Sequence, residues 1–198
     1  MSSASSLPIV KIVCEGHLLR KGAEILEASS SVSLILAGAR KIIVDTAARE
    51  DSGRLSDALK SMSVEPQEVD VVVNTHLHID HCGGNDLFKN AKFYAHRLES
   101  PPLGTVQVSK NMTLLPGVEL IQTPGHTAGS ISVLVRAEKQ YVAAGDALPT
   151  KANYDQHTPP AINIDRRLAL RSMDLLLESA DVVIPGHDSP FACVSKKN

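Results

Sequence analysis

Val69-Asp70-Val71-Val72-Val73-Asn74-Thr75-His76-Leu77-His78-Ile79-Asp80-His81-Cys82-Gly83-Gly84 holds both a structural and a chemical signal. Its valines read as a buried strand, because β-branched side chains suit a pleated surface covered on both faces. The six residues that follow Thr75 contain three histidines and one aspartate. In an extended segment His76, His78 and Asp80 point to one side, and a turn at Asp80 redirects His81. The glycine pair then lets the backbone turn tightly into a helix. Neutral imidazoles and a carboxylate suit Zn²⁺ and similar first-row ions. One histidine alone would read as a core or surface residue, whereas four such groups at this spacing read as a metal site.

Three later segments repeat the order of apolar strand, turn and one ligand-type residue. His126 follows the strand at 119–122 in Thr123-Pro124-Gly125-His126, Asp146 ends the strand at 140–143 in Ala144-Gly145-Asp146, and His187 closes Pro185-Gly186-His187 after the strand at 182–184. Each alone would read as a turn. Together with the first cluster they make seven candidate ligands, enough for two metals with a shared carboxylate and open positions for water.

Further strands are expected at 9–13, 31–36, 41–44, 92–94, 106–108, 112–115 and 130–135, from their β-branched content. Helical spacing predicts a helix over 52–61, through Leu55, Leu59 and Met62, and another over 166–179 with Asp165 as its N-cap. A third short helix is expected from Gly84 through Leu87 and Phe88. Strands at 31–44 and 112–143 look like antiparallel meanders, and those at 69–74 and 182–184 like buried central strands. This is a layered α/β fold (α+β layered), with the chemistry in loops after strand ends.

The chain has 198 residues, 43% of them hydrophobic and 21% charged, with a formal charge of −2. That composition excludes disordered and fibrous classes and gives no overall basic footprint for nucleic acid or an anionic membrane. One domain over residues 1–198 is expected, loose at 1–6 and 196–198. Cys14, Cys82 and Cys193 give no disulfide framework, so a reducing compartment, the cytoplasm, is expected; no secretory leader or membrane span is read. His17 is read as bland, His96 as a surface histidine and Cys82 as a packing residue. The polar segment 148–165, with three prolines, is expected to form a loop over the site, with Tyr154 and His157 as its candidate substrate contacts. Lys151, Arg166 and Arg167 either add positive charge near an anionic substrate or form a solvated face.

His76-x-His78-x-Asp80-His81, followed in order by His126, Asp146 and His187, resembles the metallo-β-lactamase superfamily of metallohydrolases. The likeness runs from Asp45 in Ile-Ile-Val-Asp-Thr to Pro185-Gly186-His187. It implies an αββα sandwich of two mixed β-sheets flanked by helices, with a binuclear site at one sheet edge. By position, His76, His78 and His126 would bind the first metal, Asp80, His81 and His187 the second, and Asp146 would bridge them. Asp45 would match a family aspartate that holds the metal-binding loop from behind. The implied cofactors are two divalent ions, zinc foremost, although the same ligands accept iron or manganese. A bridging hydroxide would be the nucleophile, with Asp80 orienting it or passing its proton to the leaving group.

Among family members, true β-lactamases lack a carboxylate such as Asp146. Glyoxalase II-type thioesterases carry a C-terminal helical extension, whereas here eleven residues follow His187. RNA-processing members with a large inserted domain need more than the 40 residues between Asp146 and His187. Flavodiiron proteins would place a Glu where His78 stands. The chain is similar to short single-domain members of animals and archaea. The reading is a binuclear hydrolase of carboxylic esters, lactones or thioesters, promiscuous among them, with a small-molecule ester or phosphodiester as its partner. The alternatives are a phosphodiesterase or ribonuclease of the same fold, a mononuclear-iron enzyme similar to persulfide dioxygenases, and a metal-binding module without turnover. The near-neutral charge weighs against long nucleic acid. A homodimer is compatible with the sequence, which identifies no pairing patch.

Overall fold

The structure, a computed structural model, describes residues 7–22 and 24–193; the ends expected to be loose, 1–6 and 196–198, lie outside the described residues. In chain order the elements are β1 (Ile9–Cys14), β2 (His17–Lys21), β3 (Glu24–Ser29), β4 (Val32–Ala37), β5 (Arg40–Val44), α1 (Ser52–Ser61), β6 (Val71–Val73), α2 (Ile79–Cys82) and β7 (Lys92–His96). There follow β8 (Val106–Val108), β9 (Met112–Leu115), β10 (Val118–Gln122), β11 (Ile131–Arg136), β12 (Gln140–Gly145), α3 (Lys151–Asp155), α4 (Arg166–Ser179), β13 (Val182–Pro185) and β14 (Phe191–Ala192).

The strands form two six-stranded sheets, ordered β1-β4-β5-β6-β7-β8 and β14-β13-β12-β11-β10-β9, and β2 pairs with β3 in a separate hairpin. In the first sheet β1, β4 and β5 are antiparallel, and β5 through β8 are parallel. In the second, β9 through β12 are an antiparallel meander and β13 is parallel to β12.

Alternation along the strands builds the layers. Ile42 and Val44 of β5 and Val73 of β6 meet Val133, Val135 and Ala143 of the second sheet in the central core. Their neighbours Ile43 and Val72 face the other way, onto Leu55 and Leu59 of α1. Likewise Leu134, Val142 and Val183 pack on Met173 and Leu176 of α4. Strands buried on both faces read as continuous apolar runs. The result is helix, sheet, sheet, helix.

Both long helices have the bounds expected of them, and the Asp165 side chain accepts from the backbone N–H groups of Arg167 and Leu168. Other expectations need correction. The strand at 182–184 is not central, since only the two-residue β14 lies beyond it. The helix expected from Gly84 is instead two short turns, α2 and a 3₁₀ turn over Asn85–Leu87. The Gly83-Gly84 pair between them lies so close to the backbone of 46–49 that a Cβ on either would collide with it. The hairpin β2–β3, β14 and α3 were not expected.

Candidate metal centre

β10, β12 and β13 of the second sheet run the same way, as do β5 and β6 of the first, and all five release their chains at one edge of the sandwich. Asp45 follows β5, the 74–84 loop follows β6, His126 follows β10, Asp146 ends β12 and His187 follows β13. The two sheets are joined there by the Ile131 N–H donating to the Thr75 carbonyl at 2.8 Å.

Seven side chains converge. His76, His78 and His126 form one group that could hold a metal ion, and Asp80, His81 and His187 form another. A third, overlapping group of His76, His81 and Asp146 lies between them; within each group the ligand-type atoms lie within 4.8 Å of one another. His78 Nδ1 stands 3.1 Å from His76 Nε2 and 3.0 Å from His126 Nε2. His81 Nε2 stands 3.2 Å from His187 Nε2.

The outward ring nitrogens are already engaged. His126 Nδ1 faces the Ile162 carbonyl at 2.7 Å, His187 Nδ1 the Ser29 carbonyl at 3.0 Å, and His81 Nδ1 the Asp45 carboxylate at 2.8 Å. Donation at those nitrogens fixes the tautomer and leaves Nε2 as a lone pair facing inward. Several inward lone pairs at about 3 Å repel one another unless a cation stands among them.

Asp146 joins the groups. Its Oδ1 lies 3.4 Å from His81 Nε2 and 3.2 Å from His187 Nε2, while Oδ2 lies 3.4 Å from His126 Nε2. The residue is only 9% exposed, and Oδ1 is buried without a hydrogen-bond partner. A buried carboxylate oxygen left in that state costs about 1–3 kcal/mol, and a bound cation removes the cost. Gly186 makes room for it, because a Cβ there would collide with Asp146 Oδ1.

Electrostatics agree with the donor set. Burial, reinforced by neighbouring imidazoles, pushes His76 well below the usual histidine value and His78 below it as well. Burial also opposes charge on His81, but Asp45 and Asp146 together outweigh it and hold that ring well above the usual value. Burial would raise Asp146, yet His81 and His187 keep it well below the carboxylate range. Two imidazoles kept neutral and a carboxylate kept ionised are ready to meet positive charge, and the positive charge that Asp45 and Asp146 draw onto His81 marks the same spot as one that favours a cation.

Asp45 sits behind His81 in the left-handed region, at φ 57°. Its Oδ1 accepts from the Thr75 N–H and its Oδ2 from the Thr75 hydroxyl, each at 2.7 Å. Strained backbone held by such contacts is a frequent mark of a functional site. Asp80 presents Oδ2 to His187 Nε2 at 3.5 Å and, with His78, His126, Asp146 and His187, floors a cavity of 340 Å³.

Not every expected site residue gathers there. Tyr154 lies tilted against Phe191 with ring centres 5.0 Å apart, and His157 pairs with Asp174 at 2.7 Å on the exterior. Neither lines the cavity; α3 turns both away, and the 148–165 segment contributes Pro149, Pro160, Ala161 and Ile162 instead. Lys151 is paired with Asp155, and Arg166 and Arg167 are exposed and off the cavity. His96 is buried rather than superficial, facing Gln122 and accepting from the Leu98 N–H. All three cysteines are free, and Cys82 is half-buried with its thiol toward the Leu77 carbonyl.

Two residues had no sequence signal. Glu99 accepts from the Leu77 N–H, the Gly129 N–H and the Thr127 hydroxyl, so it ties the His76–His78 loop to the His126 loop. Arg20, on the unexpected hairpin, lines the cavity. A lone Glu or Arg in a polar stretch resembles any solvated charge.

A family model described as the metallo-beta-lactamase superfamily matches residues 26–106. A probable metallo-hydrolase of Methanocaldococcus jannaschii is 40% identical over 180 residues, covering 91% of this chain and 87% of the relative. An N-acyl homoserine lactonase of a Bacillus species is 31% identical over 159 residues, 70% of this chain and 63% of the relative. Among solved structures, a metallo-beta-lactamase-type protein of Thermotoga maritima superimposes with a TM-score of 0.80 at 20% identity, covering 94% of this chain and 99% of its own.

Proposed function

The chain belongs to the metallo-beta-lactamase superfamily and is a metal-dependent hydrolase, and from that premise we propose that it cleaves ester-type bonds at a two-metal centre. Carboxylic esters, lactones and thioesters are the substrate class, and a reducing compartment, the cytoplasm, is the setting that three free cysteines suit. The observation that carries the proposal is Asp146, one buried carboxylate with an oxygen toward each histidine group. Similarity to a lactonase supports the ester class.

In this reading His76, His78 and His126 would hold one cation, and Asp80, His81 and His187 the other, with Asp146 shared by both sets. Zinc suits the imidazole-rich set. Bound there, the two ions supply Lewis acidity and a water acidic enough to be a nucleophile at neutral pH. Asp45 keeps the His81 ring aimed inward by accepting its Nδ1–H. Asp80, half-buried at the cavity floor, holds the proton of the attacking water on its carboxylate and delivers it to the leaving oxygen or sulfur. The apolar cavity wall lowers the local dielectric around the acyl group and so strengthens the charge interactions made there.

Elemental analysis of protein purified without chelator, beside a turnover screen of esters and lactones, tests the reading. Two zinc-like ions per chain are expected, with turnover lost in His126→Ala by at least about 100-fold. Phosphodiester turnover alone would replace ester chemistry with phosphoryl chemistry, and a single iron without hydrolysis would point to oxygen-dependent chemistry.

A further inference from the structure

The cavity above the metal centre has one wall that the hydrolytic reading leaves unused. It is the inward face of the β2–β3 hairpin, formed by Leu18, Arg20, Ile25 and Ala28. Regular pairing runs from His17↔Ser29 through Leu18↔Ala28 to Leu19↔Glu27, and then the register shifts so that Arg20 pairs with Ile25. Leu26 is the extra residue of this bulge. Ile25 and Ala28 are three apart and would lie on opposite faces of a regular strand. The bulge brings both to the side of Leu18 and Arg20, as bulges beside active sites commonly re-aim side chains.

The hairpin base is fixed to the metal centre, where the Ser29 carbonyl faces His187 Nδ1 at 3.0 Å and the Ser30 N–H donates to the Asp80 carbonyl at 2.9 Å. Arg20 stands three residues toward the tip from His17, the partner of Ser29, roughly 10 Å along the strand. Between the two levels the walls are apolar: Leu18, Ala28 and Ile25 on the hairpin, Pro160 and Ile162 opposite. Among the described residues Arg20 is the only Lys or Arg lining the cavity, and it has no hydrogen-bond or ion-pair partner there. Arg40 and Arg136 are ion-paired, with Asp70 and Glu119, whereas the Arg166 and Arg167 side chains share the unpartnered state of Arg20 among the described residues; its place on the cavity wall is what distinguishes Arg20.

We propose that Arg20 is a specificity-determining residue that binds the anionic end of the substrate. The substrate class is an ester, lactone or thioester whose acyl group continues through an aliphatic spacer of several methylenes to a carboxylate. The spacer lies along the apolar walls, and the carboxylate meets the guanidinium fork at the cavity mouth. This rests on the ester reading above. The acidic end keeps its charge throughout, and no bond to it is made or broken.

The test compares matched p-nitrophenyl monoesters, suberate against octanoate, which differ in a terminal carboxylate. Wild-type protein is expected to favour the suberate ester in kcat/KM by about tenfold, the effect of one well-placed charge-assisted contact. The preference should reside in KM, fall to near unity in Arg20→Ala, survive in part in Arg20→Lys and reverse in Arg20→Glu. Arg167→Ala, an exposed cation off the cavity, should retain it. Calorimetric titration with suberamate and octanamide, which differ only in the terminal carboxylate, provides a readout without turnover, with suberamate binding weakened about tenfold by Arg20→Ala. Equal handling of the two esters by wild type, or a preference that survives Arg20→Ala, overturns the proposal. If wild type turns over neither ester, the ester reading fails, and the titration still decides for or against anion binding at Arg20.

Discussion

The carboxylate of Glu99 carries three hydrogen bonds that no single loop could supply for itself. Its Oε2 accepts from Leu77, the residue between His76 and His78, at 3.1 Å; its Oε1 accepts from the Thr127 hydroxyl at 2.6 Å and the Gly129 N–H at 3.1 Å. It therefore sets the spacing of the three histidines proposed for the first cation. Glu99→Ala strips two loop N–H groups of their acceptor, and Glu99→Gln turns an amide donor toward one of them. Outer contacts of this kind typically carry about 10–100-fold in metal affinity. Titrating Co²⁺ or Zn²⁺ into metal-free protein should show one of two sites weakened by that factor in both variants, with the circular dichroism spectrum unchanged. Undiminished binding would mean that the contact between the Thr127 and Ser130 hydroxyls, at 2.7 Å, already holds the His126 loop.

At the scale of elements, β5 and β6 position the chemistry by delivering Asp45 and the histidine loop side by side. Their register is pinned at the far end by Asp70, whose Oδ2 accepts from the Lys41 N–H at 2.8 Å and whose Oδ1 meets the Arg40 guanidinium at 2.5 Å. Partial burial would raise the Asp70 value, but the Lys41 N–H and the Arg40 charge together hold it below the ordinary one. A carboxyl depressed in the folded state contributes stability that is complete above its unfolded value, about 3.9. That contribution disappears as pH falls through the lower folded value. Asp70→Asn should therefore cost about 1 kcal/mol at pH 6, limited by the exposure of Arg40. The gap from wild type should close toward pH 3. Urea unfolding at both pH values measures it, and a gap independent of pH would remove the charge from the account.

What was legible in the sequence follows the same physics. α1 and α4 were placed to the residue, because amphipathic spacing and the Asp165 cap are local signals. Strands such as β5 and β11 were placed because burial on both faces leaves continuous apolar runs. The hairpin was not: Leu19, Ile25 and Leu26 are exposed, its register is bulged, and Glu24 and Glu27 break any alternation. The seven candidate ligands were legible because each follows a strand end with a Thr, Pro or Gly turn. Glu99 and Arg20 act across distances in sequence that no motif records.

On the scale of the whole molecule, the candidate centre is a joint between halves. His76, His78, Asp80 and His81 come from the first sheet, and His126, Asp146 and His187 from the second. The sheets otherwise meet through a non-directional apolar core, which tolerates small sliding better than a fixed set of ligands does. A cation bound by both halves adds free energy to the folded state alone, about 2.7 kcal/mol for each site when free metal is 100 times its dissociation constant. For a chain of this length each kcal/mol moves the unfolding midpoint by about 2–4 °C. Chelation should thus lower the midpoint by roughly 5–10 °C per site, and restoring Zn²⁺ should recover it. Gly186→Ala, which forces Asp146 aside, should show a smaller shift on chelation than wild type, since its sites are already impaired. A midpoint that chelator leaves in place in wild-type protein would mean that the apolar core alone holds the sheets together, and the joint would have to be abandoned.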